Sequence, residues 1–203
     1  MSRKTIGIVD YGVGNHTSVQ RAFQALDYRC RTSSDPESLA DSDLIVLPGV
    51  GAYPTAMSAL HTRGLVEFLR ERARGGQPMI GLCLGMQLLA DESLEHGTTA
   101  GLGLIPGQVV PLESAQWHIG WNTIEVMNAD KLLLPSDGES VYFNHSYVFN
   151  APREYQMCVA RLDQPFPVGV RRGNVVGLQF HPEKSQLAGR VMLKNLVEGL
   201  TRA

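Results

Sequence analysis

No apolar run in this chain approaches the ~20 residues that a membrane-spanning helix requires, so a bilayer span is not expected. Cysteine is scarce: there are three in 203 residues, without a framework spacing. That excludes a disulfide-stapled scaffold and fits a reducing cytosol. Excess positive charge is missing as well, since 18 Lys and Arg stand against 20 Asp and Glu for a formal net charge of −2. A nucleic-acid-binding surface is therefore not expected as the main business of the chain. The six histidines include no His-x-x-x-His or similar pair, so no metal site is expected. The N-terminus enters a strand at once without an apolar leader, the reading of a cytoplasmic chain without signal peptide. There is no internal repeat and no low-complexity linker, and the length suits one domain, 1–203, with a sizeable core.

What the chain does have is one stretch around which the rest is organised, Pro78-Met79-Ile80-Gly81-Leu82-Cys83-Leu84-Gly85-Met86-Gln87. It reads as a short apolar strand, a turn between two glycines and the start of a helix. A cysteine on such a turn has its thiol pushed out above the end of a sheet. This is a nucleophile elbow, Gly-x-Cys-x-Gly, with sulfur where hydrolases more often place a serine hydroxyl. The glycines fit a turn that neighbouring chain approaches too closely for a Cβ. A thiol near its ordinary pKa of about 8.5 is only a few per cent thiolate at neutral pH. A helix N-terminus and a neighbouring imidazole both favour the anion. The plainer reading of Cys83 is a buried core cysteine.

Before the elbow, Thr5–Val9 is a β-rich run turned by Asp10-Tyr11-Gly12-Val13-Gly14-Asn15. Asn15 is placed to cap a helix with Val19, Ala22, Phe23 and Leu26 on one face. Gly12-x-Gly14 suggests a dinucleotide loop, but Thr17 stands where the third glycine belongs and the fingerprint fails. The turn is read instead as presenting backbone or Asn15 outward. A second strand is expected over Tyr28–Thr32 and a short helix from Asp35-Pro36-Glu37. A buried strand over Asp43–Leu47 is halted by Pro48-Gly49-Val50-Gly51, and helices follow over Pro54–Leu60 and Leu65–Arg74. This alternation indicates an α/β fold, a mixed and mostly parallel sheet with helices on both faces. Sites on such sheets lie at the carboxyl ends of strands, where Gly12–Asn15, Pro48–Gly51 and Cys83 all fall. Strand-like pieces at 108–110, 123–126, 141–143, 155–160, 168–170 and 175–180 are expected as an antiparallel element completing the sheet. A last helix over Ser185–Leu200 is expected to turn Ala188, Val191, Met192, Asn195 and Leu196 inward and Lys194 outward.

A base for the thiol is offered by Gly177-Leu178-Gln179-Phe180-His181-Pro182-Glu183-Lys184-Ser185. Pro182 keeps His181 extended, so His181 and Glu183 point the same way at strand spacing. Glu183 then fixes the imidazole tautomer while the other ring nitrogen faces the thiol, the relay general to Cys and Ser hydrolases. A lone histidine at a strand end is more often structural. His-Pro-Glu combined with a cysteine elbow is what points to catalysis.

Gly-Leu-Cys-Leu-Gly-Met-Gln with a distant His-Pro-Glu resembles the class I glutamine amidotransferases. More narrowly, the chain is similar to the family of glutaminase subunits (HisH) of imidazole glycerol phosphate synthase, in histidine biosynthesis. The narrower likeness rests on Asp10–Asn15, Pro48–Ala52, Met86, Gly120-Trp121-Asn122, His145-Ser146-Tyr147 and Lys184-Ser185. The resemblance implies a flavodoxin-like fold, L-glutamine as substrate, and no metal or organic cofactor. It implies Cys83 as nucleophile, His181 as base and then acid, and Glu183 as its orienter. Oxyanion donors would be the amides of Leu84 and Val50, the latter in a turn whose glycines let the peptide rotate. Gly49, Gly51, Gln87, Ser146 and Tyr147 match substrate-holding positions. Gln87 reads otherwise as an exposed helix residue, and Ser146 and Tyr147 as strand packing. The family further implies a heterodimer with a (β/α)₈ cyclase subunit (HisF), with Asn15, Trp121, Tyr142 and Lys184 near the interface. Two stretches depart from the family pattern, Gln116-Trp117-His118-Ile119 and Asn144, both toward the presumed partner face. Two other readings stand beside this one: a paralogous glutaminase feeding a different synthase, and a non-catalytic regulatory relative.

Overall fold

The computed structural model describes residues 3–113, 115–127 and 129–201. In chain order the first half runs β1 (Thr5–Val9), α1 (His16–Gln24), β2 (Arg29–Ser33), α2 (Pro36–Ala40), β3 (Leu44–Leu47), α3 (Tyr53–Thr62), α4 (Leu65–Arg74), β4 (Met79–Leu82) and α5 (Leu84–Gln87). The second half runs β5 (Glu92–Ser93), β6 (Thr99–Ala100), β7 (Gln108–Pro111), β8 (His118–Thr123), β9 (Glu125–Val126), β10 (Ser140–His145), β11 (Tyr147–Asn150), β12 (Gln156–Arg161), β13 (Pro165–Arg172), β14 (Val175–Leu178) and α6 (Gln186–Leu200).

The main sheet has the order β2-β1-β3-β4-β14-β13-β12-β9. Its first five strands are parallel and the other three continue it antiparallel. Because β3 is covered on both faces, it reads as the unbroken apolar run Leu44-Ile45-Val46-Leu47. Alternate residues go to opposite cores: Leu44 and Val46 pack with Val19 and Phe23 of α1 and Met192 and Leu196 of α6. Ile45 and Leu47 pack with Met57 and Leu60 of α3 and Leu65 and Leu69 of α4. Each fully buried side chain of this kind contributes about 1.5–3 kcal/mol of transfer free energy. Helices thus cover both faces, as the alternation implies. Local signals hold at the helix starts: the Asn15 side chain accepts from the Ser18 amide, and Asp35 accepts from Glu37 and Ser38.

Three expectations are corrected. The later strands do not all complete the main sheet. β7 joins a separate sheet of order β11-β7-β5-β6, and β10 pairs with β8 in a two-stranded ribbon. Such long-range pairings are set by packing, which local residue type does not encode. The last strand ends at Leu178 rather than Phe180, and His181 instead opens a 3-10 turn, Pro182–Lys184. On α6, Val191 is exposed, while Leu193 and Val197 turn inward with Met192 and Leu196. The stripe is rotated toward residues that meet the sheet and α1.

Candidate active site

One pairing brings the site together. β14 returns across the chain to lie parallel beside β4, in register Leu82↔Leu178. Cys83 follows immediately after β4, and His181 comes three residues after β14. The Cys83 amide bonds the Leu178 carbonyl at 2.7 Å, which clamps the elbow to the neighbouring strand end. Since β1, β3 and β4 are parallel, the turns at Gly12–Asn15, Pro48–Gly51 and Cys83 lie on one edge.

Cys83 has φ 55° and ψ −112°, a conformation that side-chain-bearing residues adopt only under constraint. The constraint is visible on both sides. A Cβ on Gly85 would lie 1.8 Å from the Leu47 carbonyl oxygen, and one on Gly81 would lie 2.4 Å from the Gly85 carbonyl oxygen. Backbone therefore approaches too closely for any residue but glycine. The resulting thiol interacts with the His181 imidazole strongly enough to raise its pKa. It also lies 3.8 Å from the Asn144 carbonyl and 3.8 Å from the Gln179 amide nitrogen.

His181 Nδ1 lies 2.8 Å from Glu183 Oε1, and both side chains are almost fully buried. The carboxylate accepts, so Nδ1 carries the proton and Nε2 is left for the thiol. Burial works against charging this ring. The hydrogen bonds and charges of Cys83 and Glu183 more than offset it, and the pKa is raised to about 9. The chain after β14 is braced to β10: the His181 amide donates to Tyr142 O at 2.9 Å, and Ser185 Oγ donates to His181 O while accepting from the Tyr142 amide. This brace, rather than strand geometry, aligns His181 with Glu183.

A cavity of about 260 Å³ opens over the thiol, lined by Val50, Gly51, Cys83, Leu84, Gln87, Glu95, Asn144, His145, Ser146 and Tyr147. Six of the seven residues expected for the oxyanion and the substrate, together with Cys83, are thereby brought to one place or its floor. Gly49 is the exception. It is buried beneath the turn, where a Cβ would meet Tyr11 Oη at 2.5 Å, and it does not line the cavity. Gln87 is buried rather than exposed: its amide donates to Tyr147 O at 3.1 Å and Gln179 Oε1 at 3.0 Å. Leu84 opens α5, where amides have no partner one turn back.

Sequence reasoning missed two polar residues here. Gln179 is fully buried and links Gln87 to the thiol, two residues before His181. Glu95 supplies the one carboxylate among the described residues that line the cavity, and its Oε2 accepts from the Tyr53 amide at 2.9 Å. A carboxylate in a stretch of glycines and turns carries no spacing signal. The remaining thiols are unsuited to nucleophilic work. Burial raises Cys30 to about 11 despite nearby Arg3, and pushes the fully buried Cys158 up further.

Of the residues expected at a partner face, three come together. Trp121 and Tyr142 are cross-strand partners in the β8–β10 ribbon, ring centroids 6.1 Å apart, and Lys184 Nζ lies 5.7 Å from the centre of the Tyr142 ring. Trp117, Ile119 and Trp121 are at least half exposed. Asn15 is exposed at the start of α1, occupied in capping Ser18.

A family model described as glutamine amidotransferase class-I matches residues 7–199. The chain is 45% identical over 197 residues, 95% of each chain, to imidazole glycerol phosphate synthase subunit HisH of Listeria monocytogenes serovar 1/2a. It is 43% identical over 196 residues to the same-named subunit of Carboxydothermus hydrogenoformans, covering 95% of this chain and 98% of that one. Among solved structures, the structure of PurLQS from Thermotoga maritima superposes with TM-score 0.78 at 21% identity over 98% of this chain and 100% of that one. At that identity the likeness speaks for the fold.

Proposed function

The chain belongs to the class I glutamine amidotransferase family, and on that footing we propose that it is the ammonia-producing subunit of an imidazole glycerol phosphate synthase. The observation that carries the mechanism is the constellation Cys83–His181–Glu183, assembled by the β4–β14 register beside a cavity of amino-acid size. His181 Nε2 holds the proton given up by the thiol, as its raised pKa favours, while Sγ attacks the side-chain carboxamide carbon of L-glutamine. The C–N bond breaks, the proton passes to the leaving nitrogen, and ammonia departs. Water, deprotonated by the same imidazole, then cleaves the γ-glutamyl thioester to glutamate and regenerates the thiol. Glu183 holds the tautomer and stabilises the imidazolium.

The tetrahedral oxyanion falls to the amides of Leu84 and Val50, and loss of one such donor costs about 3–4 kcal/mol. Gln87, Ser146, Tyr147 and Gly51 hold the α-carbon end of the substrate, with Glu95 placed for its ammonium. Released ammonia is protonated in neutral water and loses its nucleophilic lone pair. It is therefore delivered through a sealed contact to a (β/α)₈ cyclase subunit, HisF. That subunit docks on the face formed by Asn15, Trp121, Tyr142 and Lys184. A single glutaminase domain working in the cytoplasm suits this role. The test is Cys83→Ala in the complex: glutamine-dependent synthesis is abolished and synthesis with added ammonium salt persists. Loss of both activities would make Cys83 structural. Recovery of a different synthase on pull-down would reassign the partner.

A further inference from the structure

At the cavity wall and behind it lies a pair of buried histidines that the proposed chemistry does not use. His118 of β8 and His145 of β10 are cross-strand partners on the inward face of the ribbon whose outward face carries Trp121 and Tyr142. The His118 ring stacks on Phe143 at 4.5 Å and meets Phe166 edge-on.

The protons in this pair follow from the partners. His145 Nδ1 lies 2.9 Å from the Tyr147 carbonyl, which accepts only, so Nδ1 bears hydrogen. In a neutral ring Nε2 is then an acceptor, and its neighbour at 3.0 Å, His118 Nδ1, must donate. His118 Nε2 is left as an acceptor, facing the Asn122 amide at 3.3 Å, while that amide also donates to Arg161 O at 2.8 Å. Burial disfavours charge on both rings. The chain thus has one direction: Asn122 to His118 to His145 to Tyr147 O.

Its end point matters. The same Tyr147 carbonyl accepts the Gln87 amide at 3.1 Å, and the other amide hydrogen of Gln87 goes to Gln179, whose own amide reaches the Cys83 thiol. His145 lines the cavity, but His118 does not. We propose that His118 is a positioning residue for glutamine: acting through His145, it fixes the Tyr147 carbonyl and with it Gln87 and the cavity floor. This rests on the glutaminase reading of the cavity. A free histidine favours the Nε2–H form, so two adjacent Nδ1–H rings are a signature that mere packing does not require.

The experiment has two arms. In the synthase complex, His118→Phe keeps the ring stack and removes the donor, while His118→Asn keeps a donor where Nδ1 stood. The expected result is a KM for glutamine raised about tenfold in the Phe variant, with kcat within about twofold, and recovery of most of the loss in the Asn variant. Alkylation of Cys83 by iodoacetamide stays within about twofold of the wild-type rate, because the substituted ring touches neither Cys83 nor His181. A wild-type KM in His118→Phe overturns the proposal. The second arm needs no variant: ¹⁵N NMR of the unmutated protein at neutral pH gives both rings as the neutral Nδ1–H form, and an Nε2–H His145 overturns it. A complex that hydrolyses no glutamine sinks the glutaminase reading while the tautomers still decide the relay.

Discussion

The phenolic oxygen of Tyr11 donates a 2.7 Å hydrogen bond to the carbonyl of Pro48. This ties the turn after β1 to the turn that carries Val50. Tyr11 is wholly buried, and burial together with the nearby Cys83 raises its pKa, so the phenol stays a donor across the working pH range. Gly49 packs directly against that oxygen. Tyr11→Phe leaves a buried carbonyl unpaired, at a cost of about 1–3 kcal/mol. The expected outcome is a lower urea midpoint with an unchanged m-value. Glutaminase activity in the complex is expected to lose kcat several-fold with little change in KM, because the Val50 amide, proposed above as an oxyanion donor, is less well held.

Gly85 tests the elbow itself. Its α-carbon faces the Leu47 carbonyl so closely that a methyl would lie 1.8 Å from the oxygen. Gly85→Ala must move either β3 or the elbow, and both belong to the packed core. Loss of more than about 4 kcal/mol is expected, in the range reserved for severe steric conflict, visible as insoluble expression or a strongly reduced thermal midpoint. An alanine variant with near-native midpoint would mean that the turn is less constrained than its geometry indicates.

The parts of this site that were legible in the sequence are those written locally. Gly81-x-Cys83-x-Gly85 encodes a turn that only glycine permits, and His181-Pro182-Glu183 keeps base and orienter within one short segment. Illegible were the features that depend on which distant strands meet. β14 pairs with β4 across nearly a hundred residues, and that register is what sets His181 beside Cys83. The same holds for His118 and His145, 27 residues apart and joined only by the β8–β10 pairing. Glu95 and Gln179 carry no periodic or spacing signal, and each gains its role from the cavity around it. Val191 shows the limit of helical periodicity: a stripe can be inferred, but its rotation is set by what it packs against.

Glu95→Gln separates charge from structure. Glutamine at this position keeps an oxygen for the Tyr53 amide, which Glu95 Oε2 now caps at 2.9 Å. What it removes is the negative charge on the cavity wall, proposed above to meet the substrate ammonium. A hydrogen bond to a charged group is worth about 1.5–3 kcal/mol, so KM for glutamine is expected to rise roughly 10- to 100-fold. kcat should change little, because the α-ammonium lies far from the reacting carboxamide. The check is steady-state hydrolysis in the complex, alongside a thermal midpoint close to that of the parent. A fall in kcat at constant KM would place Glu95 with the reacting atoms instead.

Two histidines shape stability against pH from opposite sides. Burial is the largest influence on His145 and pulls it down to about 4, with His118 and His181 adding repulsion and the Tyr147 carbonyl opposing. Near an unfolded value of about 6.5, the unfolded chain protonates first. Its contribution is therefore full above about pH 6.5 and falls away as pH drops toward 4, by roughly 3 kcal/mol. His181 runs the other way. Burial lowers its pKa, but Cys83 and Glu183 prevail and raise it to about 9, so its contribution is full below about pH 6.5 and lost as pH rises through 9. Stability should therefore peak near pH 6–7. Urea titrations from pH 4.5 to 9.5 are expected to show the acid limb shallower in His145→Asn and the alkaline limb shallower in His181→Asn. If His145→Asn retains the full acid limb, its imidazole is already charged in the native protein, and the neutral pair with His118 cannot stand.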